Sequence, residues 1–131
     1  MTGGVVIVDA ANVVGSVPDG WWRDRAGATA RLLETLNPLP AKGLAAPGLP
    51  PWAAEPPLTM ILVVEGRAGG TQATGAVRVH RAAGSGDEAI VELVRGLPGP
   101  TLVVTADRGL RERVRELGAE VAGPSTVRPR A

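Results

Sequence analysis

Short runs of β-branched apolar residues alternate along this chain with segments whose apolar positions recur every three or four residues. Val5, Val6, Ile7 and Val8 follow two glycines and end at Asp9; four consecutive apolar residues are too few for a helix and suit a strand covered on both faces. After Pro18, Asp19 and Gly20, residues 22–36 carry Trp22, Ala26, Thr29, Leu33 and Leu36 at helical spacing, with Arg23, Asp24, Arg31 and Glu34 left for solvent. That pattern predicts an amphipathic helix ending before Pro38. A second buried strand is expected over 58–64, and the alternation in 76–80 suits a shorter edge strand. Ile90, Leu93 and Val94 form one stripe of a helix over 87–95, stopped by Gly96 and Pro98. Residues 101–105 repeat the buried-strand pattern, Leu110, Val114 and Leu117 make a further helical stripe closed by Gly118, and 120–122 can add a last strand.

The order of strand, helix, long connection, two strands, helix, strand, helix and strand predicts a layered α/β fold with right-handed crossovers. The connection over 37–57 is rich in Pro, Gly and Ala, with Trp52 as its one large anchor; its prolines oppose a central strand, and it is an active-site flap, a partner surface or a tolerated insertion. Residues 1–123 are expected to form one domain, and the Pro- and Arg-rich residues 124–131 a flexible basic tail that frays or touches phosphate.

Composition narrows this only a little. With 131 residues and 44% hydrophobic, the chain supports one core. Lys and Arg number 14 against 13 Asp and Glu, a net +1, so any nucleic-acid surface must come from local segregation of charge. Cysteine is absent, which removes disulfides and thiolate metal sites. The first apolar stretch is broken by Asp9 and Asn12 and lacks a basic leader, so neither a signal peptide nor a membrane anchor is expected, and a cytoplasmic location is the default.

Three acids stand where an α/β chain can gather them. Asp9 closes the first strand, Asp87 opens a helix after Ser85 and Gly86, and Asp107 follows the strand run TLVVTA. Strands of a parallel sheet end at a common edge, where hard oxygen ligands can hold magnesium or manganese against phosphate. Crowded carboxylates repel one another unless a cation is present. Glu65, directly after its strand, is a fourth candidate ligand. Asn12 can orient Asp9 or contact phosphate through its amide, or simply make an Asx turn. Ser85 and Glu88 match a capping box, which is the simpler role for Glu88. Asp19 reads as a turn residue or a rim ligand. Thr105 can cap the next helix or donate to a carboxylate or phosphate. Arg108, Arg67 and Arg23, with Arg78 and Arg81, can supply a basic rim, and Trp21 is better suited than Trp22 to stack a base. His80 has no nucleophile pattern beside it. Phosphate-loop, dinucleotide and zinc motifs are absent from the sequence.

The segments VIVDAANVV, SGDEAIVELV and VVTADRGL together resemble the NYN domain family of the PIN-like nuclease superfamily, in particular its small bacterial predicted ribonucleases. The resemblance runs from about residue 5 to residue 122. The family's strand-end Asp and following Asn match Asp9 and Asn12, its helix-start acid matches Asp87, and its later T-x-D signal matches Thr105 and Asp107, with Arg108 beside it. The resemblance implies a three-layer, Rossmann-like PIN/NYN fold with a mostly parallel central sheet, a magnesium- or manganese-assisted centre with Asp9, Asp87 and Asp107 as ligands, and RNA as substrate and partner. Three functions follow for testing: a metal-dependent ribonuclease, a catalytically degenerate RNA-binding or regulatory module, and a metal-dependent phosphatase or nucleotide hydrolase. A homodimer could form through an edge strand, Trp52 or the last helix.

Overall fold

The computed structural model describes residues 3–66 and 70–128. Its five strands, β1 (Val5–Asp9), β2 (Thr59–Val64), β3 (Arg78–Arg81), β4 (Thr101–Val104) and β5 (Glu120–Ala122), form one sheet in the order β3-β2-β1-β4-β5. Every pairing is parallel. The central strands show no polar alternation because both faces are covered. Val6, Val8, Met60, Leu62, Val64, Leu102 and Val104 face one layer, which contains α1 (Ala10–Gly15) and α2 (Arg25–Leu36). Val5, Ile7, Ile61, Val63 and Val103 face the other, built from α4 (Gly86–Gly96) and α5 (Arg108–Glu116). A fifth short helix, α3 (Leu39–Lys42), lies in the long connection. The expected strands and the two later helices are present, with bounds shifted by a residue or two.

Four expectations are corrected. The first is α1, a short helix where only a turn after Asp9 was read. It starts with no linker because the Asp9 carboxylate is its N-cap, Oδ1 accepting from the Asn12 amide at 3.4 Å.

The second concerns the start of the next helix. α2 begins at Arg25 because Asp24 caps it, accepting from the Gly27 amide at 2.9 Å. Gly20, at φ 87°, turns the chain into a 3₁₀ turn over Trp21–Arg23. Trp22 therefore falls out of the helical register and is 53% exposed, and Ala26 is exposed too. The buried stripe is Ala28, Thr29, Leu32, Leu33 and Leu36.

The third is the flap reading of the proline-rich connection, which is packed down and carries short helical turns at Leu39–Lys42 and Pro51–Ala54. Leu44, Ala53 and Leu58 are buried, Leu44 N–H donates to the Ala53 carbonyl and Leu58 N–H to the Pro40 carbonyl, each at 2.8 Å. The Trp52 ring lies so close over Gly4 that a Cβ there would stand 2.1 Å from it. This closes the amino edge of the sheet, opposite the strand ends that carry the acids, so the segment is not an active-site flap.

The fourth is the tail. Pro124–Thr126 form a 3₁₀ turn, Val127 is 2% exposed, and the Arg128 guanidinium donates to the Val13 and Val14 carbonyls at 3.2 and 3.0 Å while pairing with Asp19. Those carbonyls lie at the carboxyl end of α1, where the Val13 carbonyl also accepts from the Ser16 amide and hydroxyl, and the negative end of the helix makes a cation there favourable. Asp19 is thereby engaged as a structural ion pair, away from any rim-ligand role. Residues 129–131 lie outside the described residues. No helix among the described residues is long and apolar enough to cross a membrane.

Candidate active site at the carboxyl edge of the sheet

The chain runs outward from β1 through β2 to β3, then returns to lay β4 and β5 on the other side of β1. Connections leaving β1 and β4 therefore diverge, opening a crevice at their carboxyl ends, the usual ligand position in open parallel sheets. Asp9 ends β1 on one wall of this crevice. Thr105, Ala106 and Asp107 leave β4 on the other.

Hydrogen bonds stitch the two walls together. The Thr105 hydroxyl, fully buried, donates to Asp9 Oδ2 at 3.0 Å and accepts from the Asp107 amide at 3.1 Å. Asn12 Oδ1 accepts from the Ala106 amide at 2.8 Å. Asp107 Oδ1 accepts from the Leu110 amide at 3.0 Å, capping α5, and Arg111 Nε donates to the Thr105 carbonyl at 2.7 Å. Thr105 is thus a positioning residue for Asp9. Its complete burial corrects the expectation that it touches substrate.

Glu65 and Asp87 come from the neighbouring elements. Glu65 leaves β2 and its Oε2 accepts from the Gly86 amide at 2.8 Å, fixing the start of α4 beside β2. A Cβ at Gly86 would lie 2.4 Å from that oxygen, so glycine is what allows the approach; the sequence marked Gly86 only as part of a helix start. Asp87, in the first turn of α4, makes no hydrogen bond among the described residues. Glu88 turns away: its amide donates to Ser85 Oγ at 3.2 Å, and its carboxylate takes a two-pronged grip from Arg113 at 2.8 and 3.2 Å. The Arg113 guanidinium holds Glu88 below the ordinary range, chiefly through those hydrogen bonds. Glu88→Gln is accordingly expected to change any activity of this edge by less than about two-fold, measured as initial rate beside the parent chain.

The acids sense one another electrostatically. Burial pushes Asp9 from 3.8 up to about 6, against the lowering hydrogen bonds from Thr105 and Asn12 and with help from the negative charges of Asp87 and Glu65. Asp87 is also raised, first by burial and then by Asp107 and Glu65, while Arg113 opposes the rise. Yet among the described residues no three His, Cys, Asp or Glu side chains stand close enough together to hold a metal ion. The donors are nevertheless oxygen only, with lone pairs of Asp87 and the second oxygens of Asp107 and Glu65 uncommitted to hydrogen bonds. That chemistry fits a hydrated magnesium or manganese ion bound through one or two carboxylates, with water and substrate phosphate supplying the other ligands.

The rim residues divide. Arg108 is exposed at the first position of α5, next to Asp107, and Arg23 is exposed on the 3₁₀ turn; neither makes an ion pair among the described residues. Arg67 lies outside the described residues. Trp21 is half-buried against the core, with the Trp22 ring edge-on at 5.9 Å and the Arg25 guanidinium 5.3 Å from its centroid. A cavity of about 170 Å³ opens beside it, lined by Ala10, Ala11, Val14, Trp21, Arg25, Thr29, Glu65 and Gly66. Arg25 was read in the sequence as neither site nor core; only the turn at Gly20 brings it over the ring.

A solved structure shows the same arrangement of elements. The chain shares its fold with Rae1 (YacP) from Bacillus subtilis. The likeness to a point mutant of Rae1 has a TM-score of 0.67 at 17% sequence identity and covers 93% of this chain and 70% of that one. The layered, Rossmann-like α/β fold with a parallel central sheet, expected from the motifs, is therefore borne out as a fold. At that identity the comparison with Rae1 speaks for architecture and not for chemistry. No family model matches the chain, and no curated protein matches it in sequence.

Proposed function

We propose that this chain is a metal-dependent ribonuclease acting at the carboxyl edge of its sheet. The observation that carries the reading is Asp9, a buried carboxylate at the sheet's switch point, raised to about 6 chiefly by burial and further by the negative charges of Asp87 and Glu65. Such an arrangement is unfavourable in the apo chain and becomes favourable when a divalent cation is present. RNA as substrate rests on the resemblance of the three motif segments to NYN nucleases.

In this reading one or two of Asp9, Asp87 and Asp107 would hold the hydrated magnesium or manganese ion directly, with water linking it to the remaining acids and to Glu65. When bound, the ion would supply positive charge to the phosphate and lower the pKa of an attacking water. The chain's own residues do the remaining work. Thr105 and Asn12 hold Asp9 and the β4 exit in fixed relation. The Asp87 carboxylate, which makes no hydrogen bond among the described residues and is raised from its usual pKa by burial and by Asp107 and Glu65, can turn toward the ion. Arg108, Arg23 and Arg67 would contact flanking phosphates, Arg108 being nearest to the acids in sequence.

That no three acids close into a ligand group among the described residues favours one competing reading, a non-catalytic RNA-binding module. Parallel incubation of RNA, single-stranded DNA and mononucleotides with magnesium, manganese or chelator separates the two. Chelator-sensitive RNA cleavage supports the proposal; salt-sensitive RNA binding without turnover overturns it, and turnover of mononucleotides alone would make the chain a phosphatase. Asp107→Asn sharpens the test. Asparagine caps a helix about as well as aspartate, so stability should change by less than about 0.5 kcal/mol, while cleavage falls at least about ten-fold through loss of a metal-facing charge.

A further inference from the structure

The cavity beside Trp21 is not used by the chemistry above. Its floor is apolar, from Ala10, Ala11 and Val14 of α1. One wall is aromatic, Trp21, and the Arg25 guanidinium stands over that ring. Its far side reaches Glu65 and Gly66 at the end of β2, and Ala10 directly follows Asp9. At about 170 Å³ it is smaller than the ~300–1,000 Å³ typical for drug-sized ligands, a size suited to a single planar ring system. A phosphate or a sugar would gain little from three aliphatic walls and an indole. A planar base gains from all of them.

The polar complement is selective. Arg25 offers only donors, in a flat fork. Of the two purines, guanine presents two adjacent acceptors, O6 and N7, that match this fork, whereas adenine places a donor beside its N7; cytosine O2 and N3 form a similar pair, but the smaller pyrimidine ring covers less of the indole and the apolar floor. Glu65 already accepts from the Gly86 amide through Oε2, which keeps its carboxylate on the rim.

We infer that this cavity is a specificity site receiving one unstacked guanine base of the RNA strand, with Trp21 as its wall and Arg25 as the reading residue. The inference rests on the ribonuclease reading but has a separate readout. Trp52 lies at the opposite edge of the sheet and Trp22 is exposed, so a W22F/W52F chain leaves Trp21 as sole fluorophore. Titrations of this chain with GMP, AMP, CMP and UMP, in chelator, report binding without cleavage. GMP is expected to quench Trp21 at a concentration at least about five-fold below that of the other three, and Arg25→Lys, which keeps charge but loses the fork, should erase the difference. Equal quenching by all four nucleotides, no quenching, or a guanine preference surviving in Arg25→Lys would overturn the site. In the parent chain, RNA cutting should concentrate beside guanines, and in Arg25→Lys the ratio of guanine-flanked to other cuts should fall to that of a random distribution. If GMP is read but RNA is never cut, the base site stands and the nuclease proposal fails; cutting without base bias gives the converse.

Discussion

Asp9→Asn should reduce metal-supported RNA cleavage by at least about 100-fold and, in the same preparation without metal, make the chain more stable at pH 8. The two effects share one cause. Asp9 is 6% exposed, and desolvation raises it from 3.8 to about 6. Below pH 3.8 the carboxyl is protonated whether the chain is folded or not, and it contributes nothing to the pH dependence. Between 3.8 and 6 the unfolded chain releases its proton while the folded chain retains it, so stability falls as pH rises. Above 6 the full cost is present, about 3 kcal/mol for a shift of that size. Asparagine removes the charge and can still accept from the Thr105 hydroxyl, although its amide cannot reproduce both contacts. A gain of about 1–3 kcal/mol over the parent at pH 8, vanishing near pH 3.5, is expected from chemical denaturation in chelator. Magnesium or manganese should narrow the gap by stabilising the parent alone. A variant that is less stable than the parent at pH 8, or one that still cleaves, would show that Asp9 is an ordinary helix cap.

Trp52→Ala should destabilise the fold by about 2–4 kcal/mol without altering the chemistry of the acidic edge. Its ring covers Gly4 at the amino edge of the sheet and, with Ala53, Leu44 and Leu58, holds the proline-rich connection down. Gly4→Ala should be costly for the complementary reason, since its Cβ would overlap the ring at 2.1 Å. The pair supplies an internal control. In the Trp52→Ala background the ring is gone, and Gly4→Ala should cost far less than in the parent, a coupling of at least about 1 kcal/mol in a double-mutant cycle. Additive effects would mean that the connection does not rest on β1. Cleavage by Trp52→Ala, assayed well below its unfolding temperature, should match the parent. A selective loss of rate would restore the flap reading that the packing argues against.

Much of this molecule is legible along the chain because the responsible forces are local. A run such as VVIVD can only be a doubly covered strand, and Ser85 or Asp107 before a helical stripe announces a cap. The strands, the two later helices and the three acids at strand ends and helix starts were all visible in this way. Where the reading failed, a local signal met a non-local one. The stripe through Trp22 is a sound helical pattern, but Gly20 and Asp24 start the helix later and turn Trp22 outward. The tail looked solvated by composition, yet Arg128 finds the carbonyls at the end of α1, more than a hundred residues away in sequence. Glu88 matched a capping box with Ser85, but Arg113 on another helix takes its carboxylate instead.

The sequence by itself determined which residues lie in the sheet, that both faces of the sheet are covered, and which oxygens stand at its ends, because side-chain periodicity and capping act over a few residues. Tertiary structure alone decided which acids share an edge, how strongly Asp9 resists ionising, that the proline-rich segment closes the far edge, and that Trp21 and Arg25 frame a cavity beside the acids. Those properties depend on strand order and burial, and both arise only when distant segments exclude water from one another.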